Sequence, residues 1–167
     1  MFERYQPDLD AYVRRARSGP CFVCAVVSRD PDFPEHHVIG EDDAAIAFLN
    51  KYPTQYGSAL VAPKEHKEQV AGDFTIEEYL GLQQLVYRVA EAVREEVGAE
   101  RVYLLSLGSN EGNAHVHWQV VPLPPGTPYE EQQFAALMFE AAGVLEIPEE
   151  EMISLAHRIW RRMGLGG

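Results

Sequence analysis

Two histidines and a glutamine alternate in the stretch His115-Val116-His117-Trp118-Gln119-Val120-Val121. The β-branched and aromatic residues between them predict a strand, and successive side chains on a strand point to opposite faces. His115, His117 and Gln119 therefore share one face, and Val116, Trp118 and Val120 share the other, which is apolar enough to join a core. Just upstream, Gly108-Ser109-Asn110-Glu111-Gly112-Asn113 forms a polar, glycine-rich loop. Backbone N–H groups in such loops can converge on an anion. Neutral imidazole is nucleophilic near neutral pH, and its attack on phosphorus gives a covalent phosphoryl-imidazole. The pattern points to chemistry on a phosphate.

A second group of reactive residues opens the chain. Cys21 and Cys24 are its only cysteines, spaced C-x-x-C. In a chain of presumed cytosolic setting such a pair reads as metal-binding or redox before it reads as a structural disulfide. No clear strand precedes the pair, as a thioredoxin-like redox unit requires. A reduced, simply buried pair is the remaining alternative.

The elements that must position these residues can be read along the chain. Residues 8–18 predict a helix with acidic residues first and arginines last, stopped by Gly19-Pro20. Three strands are expected at His37–Gly40, Ala44–Asn50 and Ser58–Pro63. Thr75 to Val97 is the clearest helix. Thr75 and Glu78 make a capping box, and Leu82, Leu85, Val86, Val89, Val93 and Val97 recur at helical spacing. Arg101–Leu107 is a fourth strand and the histidine stretch a fifth. Residues 129–163 predict two further helices split near Gly143, the second carrying Met152, Leu155, Ile159 and Met163 on one face. Short links between strands favour antiparallel pairing, so the fold class is α+β, with a sheet of about five strands, a long helix on one face and a helical C-terminal tail.

Composition bounds the function. A chain of 167 residues favours one domain, spanning 1–167 with its body at about 20–125 and the helical extension at 129–163. Such a length buries roughly 70% of its unfolded surface, so no disulfide scaffold is required. The apolar share of 46% and charged share of 24% suit an ordinary soluble protein. No apolar run is long enough to span a membrane, and Met1-Phe2-Glu3-Arg4-Tyr5-Gln6 lacks a signal-peptide core, so the cytoplasm is the expected location. A net charge of −12 argues against extended nucleic-acid binding. An anionic substrate then requires a few local donors.

The histidine stretch resembles the signature of the histidine-triad (HIT) superfamily, His-x-His-x-His followed by apolar residues. Here the third position is Gln119, which is similar to the galactose-1-phosphate uridylyltransferase and diadenosine-tetraphosphate phosphorylase branches. The resemblance implies a HIT-like fold over residues 20–125 and pairing into a homodimer. It also implies structural zinc held by Cys21, Cys24, His66 and His115. Pro63-Lys64-Glu65-His66 matches the segment that supplies the third ligand in zinc-binding members. Four protein ligands would leave no open position for catalysis.

The same resemblance makes His117 the nucleophile at the α-phosphate of a nucleotide. Gln119 would donate its amide to a phosphate oxygen but has no proton to give a leaving group. The expected substrate is therefore a nucleoside polyphosphate rather than a phosphoramidate. Asn50 would hold the ribose, Phe48 would wall the base, and Ser109, Asn110, Gly112 and Asn113 offer donors to the phosphates. His36, His37 and His157 read as surface histidines, and Trp118 and Trp160 as packing residues. The expected activity is nucleoside-polyphosphate cleavage of the diadenosine-polyphosphate type, as a hydrolase, a phosphorylase or another nucleotidyltransferase. The alternatives are a nucleotide-binding regulatory module with little turnover, and a zinc hydrolase with His115 and His117 on a catalytic metal, which the two cysteines disfavour.

Overall fold

The computed structural model describes residues 1–164. Its centre is a five-stranded antiparallel sheet: β2 (Val38–Glu41), β3 (Ala45–Leu49), β4 (Ala59–Pro63), β5 (Arg101–Leu105) and β6 (Trp118–Leu123). The order across the sheet is β2-β3-β4-β6-β5, all neighbours antiparallel. The α+β reading holds, with the expected sheet, long helix and C-terminal helix.

Strand alternation divides the sheet's side chains between two layers. Ala45, Ala47, Leu49, Ala59, Val61, Trp118 and Val120 face the main core, with Val116 beside them. Against them lies α3 (Ile76–Val97), through Leu82, Leu85, Val86, Val89 and Val93. Its predicted capping box is formed: Glu78 N–H donates to the Thr75 hydroxyl, and Thr75 N–H donates to the Glu78 carboxylate. The last helix, α6 (Glu149–Arg162), adds Leu155, Ala156 and Ile159 to the same core. Ile46, Phe48 and Leu60 point the other way and pack under α2 (Phe22–Ser28). The rest of that second face carries the site.

Two elements differ from the sequence expectation, and one is added to it. The histidine strand enters the ladder only at Trp118. Val116 N–H donates instead to the Lys67 carbonyl, and the Ser106 hydroxyl donates to the His117 carbonyl. The side-chain alternation is intact, with Val116 and Trp118 in the core and His117 and Gln119 at a cavity, but before Trp118 the segment's partners are loop and side-chain groups. Secondly, Phe22–Ser28, to which the sequence assigns no element, is helical; Phe22-Val23-Cys24-Ala25-Val26-Val27 is short and β-branched, so it carries no helical period.

Thirdly, the first of the two C-terminal helices is replaced by single turns. A 3₁₀ turn at Tyr129–Glu131 leads to α4 (Phe134–Leu137) and α5 (Phe139–Ala142). Met138 interrupts them in an extended conformation. Gly143 follows at φ 72, and a Cβ there would stand 3.2 Å from the Tyr5 carbonyl oxygen. That close approach lets β7 (Val144–Leu145) pair with β1 (Arg4–Tyr5) in a small second sheet. Beside β1, α1 (Leu9–Ser18) is capped by the Asp8 carboxylate and has no buried residue. Together, α1 and the 134–140 segment lie over the open part of the sheet.

Candidate active site and metal centre

A cavity of about 530 Å3 lies between the sheet and this covering layer. Leu60, Gln119 and Val121 of the second sheet face form part of its floor, with His117 beside them. His117 is 6% exposed. Its Nδ1 lies 2.8 Å from the His115 carbonyl oxygen, so Nδ1–H donates there and the Nε2 lone pair is left free. Burial holds the His117 pKa below its ordinary value, so the neutral ring prevails at pH 7. A neutral, oriented imidazole at the wall of a cavity has the form of a nucleophile or base.

Behind it, four side chains converge. The Cys21, Cys24, His66 and His115 donor atoms all lie within 4.8 Å of one another. Cys21 Sγ stands 3.4 Å from His115 Nδ1, and Cys24 Sγ stands 3.3 Å from His66 Nδ1 and 3.5 Å from His115 Nδ1. Tetrahedral zinc with bonds of about 2.0–2.3 Å separates its donors by roughly 3.3–3.8 Å. Both histidines present Nδ1 because Nε2 is engaged: His115 Nε2–H donates to the Pro63 carbonyl at 2.9 Å, and His66 Nε2 meets the Glu68 carboxylate at 3.0 Å. Such outer partners fix the tautomer of metal-binding histidines. Burial and the adjacent Cys21 sulfur push the Cys24 thiol up to about 11. A cation's field is what would hold both sulfurs as thiolates at neutral pH. The set fits a closed, structural zinc centre.

The centre and the cavity are one construction. Cys21 and Cys24 flank Phe22, whose ring meets the His117 ring edge-to-face at 5.4 Å. The carbonyl that orients His117 belongs to His115 itself.

The other expected site residues divide. Gln119, Asn50 and Asn113 line the cavity with His117. Asn50 also closes a turn, its Oδ1 accepting from Tyr52 N–H at 2.9 Å. Phe48 is fully buried and does not reach the cavity; it backs Phe22 at 6.3 Å and His36 at 5.4 Å, and these two rings form the wall in its place. Ser109, Asn110 and Gly112 also stand away from the cavity. Their turn folds outward onto α1, where Glu111 pairs with Arg17 and a Cβ on Gly112 would come within 2.8 Å of the Ala16 carbonyl oxygen.

His36 is not a simple surface histidine. It lines the cavity, half-buried, stacked on Phe33 at 5.6 Å, and burial holds its pKa down. His37 is also largely covered, meeting Glu149 at 3.0 Å, whereas His157 is exposed. Phe22, Phe33, His36, Tyr12, Arg15 and Tyr52 are cavity residues that the sequence does not assign to the site. Phe22 alone had a signal, since its place inside C-x-x-C ties it to His115 and hence to His117.

Comparison with known proteins decides the family. The HIT domain pattern matches residues 34–125, more than half of the chain. The chain belongs to the HIT family. An adenosine 5′-monophosphoramidase of Schizosaccharomyces pombe is 29% identical over 107 residues, 62% of this chain and 74% of that protein. An uncharacterized HIT-like protein of Borreliella burgdorferi is 28% identical over 106 residues, 61% of this chain and 74% of its own length. Among solved structures, a hypothetical histidine triad nucleotide-binding protein of Sulfolobus tokodaii aligns with TM-score 0.68 and 25% identity, covering 86% of this chain and 92% of that one. A zinc-bound histidine triad family protein of Mycobacterium smegmatis aligns with TM-score 0.66 and 25% identity, covering 88% and 97%. The HIT family comprises nucleotide-binding hydrolases and transferases.

Proposed function

We propose that this protein cleaves nucleoside polyphosphates at the α-phosphate through a covalent nucleotidyl adduct on His117. The observation that carries this reading is the single free ring nitrogen of His117 at the cavity wall, its partner nitrogen held by the His115 carbonyl.

In the first step Nε2 attacks the α-phosphorus. A P–N bond forms, and the bond from phosphorus to the bridging oxygen breaks. The leaving polyphosphate takes the electron pair. The positive charge gained by the ring is shared with the Nδ1–H that donates to His115. The Gln119 amide donates to a phosphate oxygen as charge develops, with Asn113 a second amide at the wall. In the second step an acceptor oxygen attacks the adduct, the P–N bond breaks, and His117 recovers its lone pair. A water acceptor gives up its proton to solvent; inorganic phosphate gives a phosphorolytic product instead.

Gln119 sets the leaving group. An amine must be protonated to depart, and an amide side chain has no proton to supply, whereas a polyphosphate leaves as a stable anion. The S. pombe relative bears the name of a phosphoramidase; Gln119 steers this chain toward the polyphosphate, in the manner of the diadenosine-tetraphosphate phosphorylase branch. The four-residue centre would hold zinc, and the M. smegmatis relative is zinc-bound. Zinc bound there would supply rigidity: through Cys21, Cys24 and His66, α2 and the loop after β4 would be tied to His115, whose carbonyl orients His117.

The test is product analysis with diadenosine tetraphosphate. Water as acceptor yields AMP and ATP; replacement of AMP by ADP when inorganic phosphate is added identifies a phosphorylase. His117→Ala should be silent in both. Rapid amine release from a nucleoside phosphoramidate, undiminished in Gln119→Ala, would overturn the leaving-group argument. Binding of nucleotide without turnover of any substrate would replace the reading with a regulatory nucleotide-binding module.

A further inference from the structure

Half of the cavity wall comes from outside the HIT domain match at 34–125, from α1, the 18–22 turn, Phe33 and the 137–140 segment. Two aromatic groups line it. One is Phe22, Phe33 and His36, beside His117. The other is Tyr12, Tyr52 and Phe139, with Tyr12 edge-on to Tyr52 at 5.7 Å and to Phe139 at 5.3 Å. Among the described residues no ring contact joins the two groups. Arg15 and Lys51 also line the cavity. Neither has a carboxylate within ion-pair distance among the described residues, although the chain carries 26 acidic residues against 14 basic ones. The Arg15 guanidinium reaches the Tyr52 hydroxyl at 3.4 Å, which places it at the second aromatic group.

We infer that this second end of the cavity is a subsite for the leaving half of a dinucleoside polyphosphate. Arg15 and Lys51 take the phosphate chain, and the rings of Tyr12, Tyr52 and Phe139 take the distal base. The inference rests on the function proposed above and adds the residues that would hold the leaving nucleoside. Two cations without carboxylate partners on the wall of one cavity can compensate a polyanion there. A bare phosphate chain has no use for three rings, whereas a base has a π-face for them. Glu140, the anionic group on the same wall, would repel a terminal phosphate but can accept from a base's exocyclic amine.

The experiment uses the full chain with His117→Ala to prevent turnover. Binding of AMP, adenosine 5′-tetraphosphate and diadenosine tetraphosphate is measured by calorimetry, alone and with Arg15→Gln or Phe139→Ala added. Both added substitutions fall on the covering layer, and circular dichroism melts check that the fold persists. Arg15→Gln should weaken both tetraphosphates about tenfold or more, the scale of one charge-assisted contact, and leave AMP within twofold. Phe139→Ala should weaken diadenosine tetraphosphate about tenfold and spare adenosine tetraphosphate, as loss of one stacking ring does. Equal weakening of all three ligands, or of none, would overturn the subsite while the proposed function stands. If His117→Ala by itself binds no nucleotide, the nucleotide reading falls and the subsite with it.

Discussion

At the scale of single residues, His117 combines three conditions: a buried ring, one nitrogen satisfied by a backbone carbonyl, and the other left free at the cavity wall. Burial lowers its pKa from 6.5, with a definite sign for activity. The neutral nucleophile is fully present above the folded pKa and is lost as pH falls through it. The rate should therefore be flat above pH 6.5 and decline only on the acid side of that value, which a pH profile of kcat/KM will show. The same shift disfavours the folded state in acid, because the unfolded ring binds a proton more readily; that contribution to stability is intact above pH 6.5 and lost below. Replacing His117 by Ala should lower kcat by a factor on the order of 10³ or more, with little change in melting temperature, since a covalent nucleophile has no substitute.

At the scale of elements, the zinc-type centre joins α2, the loop after β4 and the entry to β6. Cys24→Ser should abolish stoichiometric zinc, read by atomic absorption, and lower the melting temperature, at about 2–4 °C per kcal/mol for a chain of this size. Activity should fall as well, because His115 carries both a ligand nitrogen and the carbonyl that sets the His117 tautomer. Glu68→Gln, which weakens only the outer partner of His66, should lower zinc affinity about 10–100-fold in a chelator competition. On the opposite face of the sheet, Leu155→Ala opens a void where α6 meets the main core and should cost about 2–5 kcal/mol in denaturant unfolding without touching the site.

At the scale of the whole molecule, a net charge of −12 and a polyanionic substrate oppose each other. Local compensation by Arg15 and Lys51 gives a measurable sign. KM for diadenosine tetraphosphate should rise as salt increases from 50 to 500 mM, because attraction is being screened; a falling KM would mean that overall repulsion governs binding. The sheet also ends at β5, an edge strand with Leu104 47% exposed, and α3, which contacts β5, leaves Leu80 and Tyr87 exposed. Edges of this kind invite pairing with a second copy. Light scattering should give about twice the 18.8 kDa chain mass, and Leu104→Arg should shift it toward the monomer.

The sequence by itself determined the parts whose information is periodic or local. The Thr75–Val97 helix carries its own cap and its own 3.6-residue stripe, so neighbours added nothing to its assignment. Alternation from His115 to Val121 settled which side chains share a face before any partner strand was known. Cys21-x-x-Cys24 and Pro63-Lys64-Glu65-His66 are short motifs whose spacing survives folding, and their donors do converge with His115. What only the tertiary structure decided depends on contacts between distant segments. Ser109, Asn110 and Gly112 turned away from the cavity while Asn113 stayed on it, with Gly112 approaching α1 closely, a fact of packing that glycine content cannot encode. Phe48 went behind the wall and Phe22 into it, because α2 lies across the sheet. The helical expectation for 129–142 failed where β7 paired with β1, about 140 residues away along the chain. The Tyr12, Tyr52 and Phe139 end of the cavity came from three segments with no common motif, each element short or exposed, so nothing along the chain marked them as neighbours.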